Sequence, residues 1–205
     1  MQARSLLVLI PSLLLCACVT VTKGAPARKP NKTPWLQPSA LLKDQIEQQS
    51  QSLPYTHGEA RIEQIHWFAT VGEPAYPTLL AMATDPRPDV AGSALAALGA
   101  TRDSRLVEYL RELPVPESAP RNLAYERART LLRLGDWSEA ETLIGGLRDQ
   151  DTMMRALCAR ALSEATGQGF GYEPQAEETE REQAVQRWEQ WWQSRQVEGV
   201  LTANS

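Results

Sequence analysis

Five side chains in this 205-residue sequence are soft enough to act as nucleophiles or to ligate a transition metal: Cys16, Cys18, Cys158, His57 and His66. A structural zinc site draws four converging nitrogen, sulfur or oxygen donors from recognisable short spacings. No cysteine or acidic residue stands where it would complete such a site around either histidine, so no metal is expected. Cys158 falls on the apolar stripe of a helical segment, where a free cysteine behaves as a small hydrophobe. A nucleophilic thiol needs an adjacent base, and none lies near it in sequence; only a fold that carried His66 to it would supply one. Gly167, Gly169 and Gly171 mimic a phosphate loop, but such a loop follows a strand and opens a helix, whereas these glycines follow a helical pattern and lead to Phe170, Tyr172 and Pro174. Glu173, Glu177, Glu178, Glu180 and Glu182 lack the spacing of a calcium loop and fit the acidic start of a helix. No catalytic, cofactor-binding or metal-binding residue is therefore expected. Among Trp188, Trp191 and Trp192, the first and last share a face with Val185 that a terminal helix must bury. Trp191 lies off that face and is the candidate interface residue.

Cys16 and Cys18 belong to a different context. Residues 1–20 open with Arg4, continue through about ten apolar residues interrupted by Pro11, and end in small residues, the pattern of a secretory signal peptide. The apolar run is half the roughly 20 residues that cross a bilayer as a helix. Its end, Leu15-Cys16-Ala17-Cys18, resembles the lipobox of bacterial lipoproteins, with an aliphatic residue three places before a cysteine and a small residue directly before it. The resemblance implies a signal peptide over residues 1–17, Cys18 as the lipid attachment residue, and two or three acyl chains, a set that anchors where one chain would not. Cys16 competes as acceptor but follows the bulkier Leu15. Cleavage near Ala17 without lipidation is the other reading. Val19 stands where an Asp would retain many Gram-negative lipoproteins in the inner membrane. The resemblance thus implies the outer membrane in a Gram-negative source, and otherwise the extracytoplasmic face of the plasma membrane.

Residues 19–38 hold four prolines and four basic residues, Lys23, Arg28, Lys29 and Lys32, with no acid. Proline removes backbone donors and fixes φ, so this stretch reads as an extended, disordered linker reaching on the order of 60 Å at about 3.1 Å per residue. With it the lipidated start and a short helix make up residues 18–52. The whole chain has a formal charge of −4, but 21 basic and 25 acidic residues become 16 and 25 once residues 1–38 are set aside, a formal −9. Nucleic acid is excluded as a partner on that balance. With Cys16 and Cys18 inside the apolar N-terminal run, the chain has no disulfide framework either.

The positions 53–195 repeat at intervals near 30 residues. Tyr76, Leu79, Leu80 and Ala83 form an i, i+3, i+4, i+7 stripe that returns as Ala140, Leu143, Ile144 and Leu147, with Leu106, Leu110 and Leu113 between. A second stripe alternates with it: Val90, Ala94, Ala97, Leu98; then Ala124, Ala128, Leu131, Leu132; then Met154, Cys158, Ala161, Leu162. Ile62, Ile65 and Ala69 form a looser first copy. Gly72, Gly99, Gly135 and Gly167 fall where helices should stop, Asp136 with Glu139 and Thr179 with Glu182 have capping-box spacing, and no stretch alternates long enough for a strand.

The stretches 85–99 (DPRPDVAGSALAALG) and 149–162 (DQDTMMRALCARAL) resemble the second helix of bacterial HEAT repeats, with an acidic turn, a Val-Arg pair matched by Met154-Arg155, and Ala and Leu at core spacing. Residues 165–174 and the tryptophan-rich segment after them are similar to the end segment that follows such arrays. The resemblance spans about residues 57–195 and implies an all-α fold, an α-solenoid of stacked antiparallel helix pairs, capped by a helix from Glu180 to about Arg195 and followed by a tail over 196–205. The expected function is a lipid-anchored, non-catalytic scaffold whose partner is an envelope protein or peptide. A lyase-like enzyme or enzyme accessory, known with HEAT-like repeats, and a purely structural envelope lipoprotein are the alternatives.

Overall fold

A computed structural model describes residues 35–114 and 119–203, with side chains as far as Gln196, and every regular element among them is helical. The helices are α1 (Ala40–Ser52), α2 (Gly58–Val71), α3 (Tyr76–Met82), α4 (Pro88–Ala100), α5 (Leu106–Glu112), α6 (Arg121–Arg133), α7 (Ala140–Gly146), α8 (Thr152–Thr166) and α9 (Glu178–Ala203). Short and long members alternate: α3, α5 and α7 have 7 residues each, while α2, α4, α6 and α8 have 14, 13, 13 and 15. The long helices begin at residues 58, 88, 121 and 152, intervals of 30 to 33. They pack in series, α2 on α4, α4 on α6 and α6 on α8; α3 lies on α4, and α7 touches α6, α8 and α9.

Most positions of the stripes read from the sequence are buried, while Leu80, Ala83, Leu113, Ala124 and Met154 are half-buried. Tyr76, Leu79, Val90, Ala94, Ala97, Leu98, Leu106, Leu110, Ala128, Leu131, Leu143, Leu147, Cys158 and Leu162 are all below 4% exposed. Ile62 departs from the pattern: it is 56% exposed, and Phe68 fills the core from α2. Gly99 lies in the last turn of α4, which stops one residue later at Ala100; it is not itself the cap, and a Cβ there would come within 3.2 Å of Thr130 Cα. Its missing side chain lets α6 approach closely enough for Thr130 Oγ1 to donate to the Leu95 carbonyl at 2.9 Å. Gly72 and Gly167 do end helices, at φ 68° and 70°, where a side chain would be strained.

The loops share one device. Asp85, Asp103, Asp136 and Asp149 each accept, through Oδ1, the backbone N–H two residues on, at 2.9 to 3.0 Å. This is why Asp136 and Glu139 form no capping box: Asp136 holds the turn and a salt bridge with Arg111, and Glu139 pairs with Arg127. Thr179 lies inside the first turn of α9, and Glu182 is taken by Arg148. Arg155 is 7% exposed and ties a loop shut, donating to the carbonyls of Asp149, Gln150 and Pro174.

Two apolar clusters result, and α6 serves both. Leu131 and Leu134 join Phe68, Tyr76, Leu79, Leu98, Leu106 and Leu110 in the first; Tyr125, Ala128 and Leu132 join Leu143, Leu147, Cys158, Leu162, Val185 and Trp188 in the second. The helix grouped above with the linker belongs to the first cluster, since Ile46 of α1 is buried in it and Leu42 packs beside it. So does Trp35, whose ring lies 4.9 Å from both Tyr76 and Tyr109 and under the Arg105 guanidinium at 5.3 Å. Trp35, read above as part of the linker, is therefore packed on this cluster. At the other end α9 runs to Ala203, well into the segment read as a tail.

Candidate docking surface at the C-terminal tryptophan cluster

The last helix, α9, packs against α7 and carries three tryptophans, Trp188, Trp191 and Trp192. Val185 and Trp188 are fully buried. Trp188 packs against Phe170 at 4.7 Å and Trp191 at 5.6 Å, each pair of rings nearly perpendicular, and its N–H has no hydrogen-bond acceptor among the described residues. Phe170 is placed there by the glycine-rich turn after α8. It adopts φ 48°, between two glycines, and its carbonyl accepts from Arg187 Nε at 2.9 Å. The three glycines therefore shape an aromatic contact.

Trp191 and Trp192 are half-buried. Trp137, from the loop before α7, stacks on Trp192 at 6.0 Å and 20° and lies 5.9 Å from Trp191. Arg195 places its guanidinium 5.3 Å from the centroids of both Trp137 and Trp191. Trp191 is thus a member of a packed cluster rather than an isolated exposed ring. Trp137 had no stripe or motif to mark it in the sequence.

Beside this cluster, α7 and α9 leave a groove of about 350 Å³. Ile144, Gly145 and Trp192 line it with apolar surface, and Gly145 presents bare backbone, with nothing within 4 Å of where a Cβ would stand. Glu141 and Glu189 flank it. Glu141 Oε1 accepts from Trp192 Nε1 at 3.0 Å and from Gln196 Nε2 at 3.1 Å, which fixes the indole plane. Glu189 pairs with Arg148 at 2.6 Å, and Arg148 also holds Glu182 at 2.6 Å. Of the two carboxylates that line the groove, Glu189 is thus paired with a cation, and Glu141 is bonded to neutral donors. Glu182 and Glu189 hold the Arg148 pKa above its usual value.

The other chemistry-bearing residues stay apart. His57 caps the start of α2 and His66 lies on the exposed side of that helix, whereas Cys158 is 0% exposed in the second cluster, which contains no residue of α2. Burial, then the Asp149 charge, pushes the Cys158 thiol up to about 12. Among the described residues no three His, Cys, Asp or Glu side chains are grouped to hold a metal, and no helix is long and apolar enough to cross a membrane. Cys16, Cys18, the signal peptide and the linker as far as residue 34 lie outside the described residues. No protein-family model matches the chain, and no curated protein matches it.

Proposed function

We propose that this protein is a bacterial envelope lipoprotein, held by acyl chains on Cys18, whose HEAT-like α-solenoid of antiparallel helix pairs acts as a non-catalytic scaffold for another envelope protein or peptide. The single observation that carries the reading is the serial packing of α2, α4, α6 and α8 at 30- to 33-residue intervals, ending in a helix with a tryptophan-lined groove. Units that cannot bury their stripes alone stack to form a continuous core and leave extended faces free for partners. The buried, high-pKa thiol of Cys158 supports a structural part for the one cysteine beyond the leader. Outer-membrane placement in a Gram-negative source, or the outer face of the plasma membrane otherwise, rests on the lipobox resemblance and on Val19 after the cysteine.

Fractionation of cells expressing the full chain tests both halves. The intact protein is expected in the membrane fraction with incorporated acyl label and, after affinity purification from solubilised envelopes, with a discrete protein retained. Cys18→Ala should lose the label and the membrane association. Persistence of both in the variant contradicts the anchor, and purification of the chain without any specific companion contradicts the scaffold.

A further inference from the structure

The groove between α7 and α9 combines features that suit one kind of side chain. Trp192 has one face against Trp137 and its N–H held by Glu141, so its orientation is set before anything binds. Two carboxylates, Glu141 and Glu189, line the groove, Glu189 is already paired with Arg148, and no basic side chain is among its lining residues, so Glu141 is the carboxylate left to a cation. The same cluster already holds a guanidinium: Arg195 lies over Trp137 and Trp191 at 5.3 Å. Arginine is planar, weakly hydrated and able to stack on an indole while bonding a carboxylate with two parallel N–H groups, whereas lysine offers only a point charge. The formal −9 beyond residue 38 would draw such a partner in.

We infer that the groove is a binding site for an arginine side chain on a partner segment, stacked on Trp192 and paired with Glu141. The bare backbone at Gly145 gives the segment carrying that arginine room to lie along α7, and Gln193 and Gln196 at the rim offer amides to its main chain. This rests on the docking reading above and names the partner's chemistry.

The test is a titration of the full chain, purified in detergent, with the peptide acetyl-Ala-Arg-Ala-Arg-Ala-amide, following the indole N–H signal of Trp192 by NMR. Trp192→Phe identifies that signal among the six tryptophans. A saturable shift is expected, with the lysine peptide several-fold weaker and the peptide carrying neutral citrulline in place of arginine inactive. Glu141→Gln keeps an acceptor for the indole and should weaken binding about tenfold, the effect of losing roughly 1.4 kcal/mol. Gly145→Leu projects into open space and should abolish binding while leaving the remaining indole signals in place; should it disturb them, Glu141→Gln decides. No shift, an equal shift with citrulline or lysine, or a shift produced by chitotriose and not by the arginine peptide would overturn the assignment. If the arginine peptide fails while envelope purification still retains a discrete partner, the arginine assignment alone falls. If both fail, the docking reading falls with it.

Discussion

The two halves of the molecule, divided at α6, close their cores by different means. The first cluster is mostly aliphatic and is shut by a helix and a strap: Ile46 of α1 and Trp35, clasped by Tyr76, Tyr109 and Arg105. The second is shut by one long helix whose Trp188 reaches the centre and whose outer rings spread into a surface cluster with Trp137 and Arg195. Both ends set an arginine over an indole. At the first end the arginine is consumed internally, since Arg105 is also bonded to Asp103 and Glu73. The second end leaves a groove lined by Glu141 and Glu189, of which Arg148 pairs with Glu189. The contrast is between an end that uses its arginine internally and an end that carries the groove proposed above as a docking site.

The largest effect expected is on the closure of the second half. Trp188→Ala empties the centre of its core and should cost about 3–5 kcal/mol in denaturant unfolding. Were Trp35→Ala to destabilise as much, the contrast between strap and keystone would fail. Next comes Gly146→Ala. A Cβ there would overlap Cys158 Sγ and stand 2.9 Å from the Tyr125 ring, so about 1–3 kcal/mol should be lost by overpacking. Calorimetry of Gly145→Ala, one residue away in open space, should show no loss. Trp35→Ala gives up two ring contacts and a cation–π contact and should cost about 1–2 kcal/mol. Limited proteolysis should then cut before α1 sooner while the second half keeps its resistance.

The smallest effects concern pH. Asp103 is held below the usual carboxylate range by the Arg105 side chain, and Asp149 by the Asp151 backbone N–H. Each contributes stability that is full above the unfolded-state value near 3.8 and is lost as pH falls through the lower folded value. Both halves should therefore weaken together in acid. Glu126 of α6 runs the other way, because burial raises its carboxyl despite Arg129 at 3.2 Å. Its folded form prefers the proton, so its contribution is present below the ordinary value of 4.5 and is lost as pH rises through the higher folded value. Thermal melts of Glu126→Gln across pH 4 to 7, read against the parent chain, should show a smaller loss of stability in the upper part of that range.

The helical stripes were legible because burial of a face leaves a 3.6-residue period that needs no knowledge of neighbours; Leu79, Leu98, Leu143 and Leu162 show it. Gly99 was legible only in part: it marks the last turn of α4, but its role in close helix approach depends on Thr130, 31 residues away. The strap was hidden for the same reason, since the partners of Trp35 lie 41 to 74 residues downstream; a lone tryptophan in a proline-rich stretch was the available signal. Of the candidate surface, the period of α9 pointed to Trp191 alone; Trp192, read with the buried face, is half-buried and lines the groove. Trp137, Glu141 and Gly145 could not be read from it, because what joins them to α9 is the placement of α7.

The most direct test of the central claim, that the second end is the binding end, is photo-crosslinking in intact cells with benzoylphenylalanine at Gln193 on the groove rim and, for comparison, at Gln51 on the exposed side of α1. The account predicts one discrete adduct from position 193, absent from position 51 and abolished by Gly145→Leu. An adduct pattern shared by both positions, or none at position 193, would contradict it.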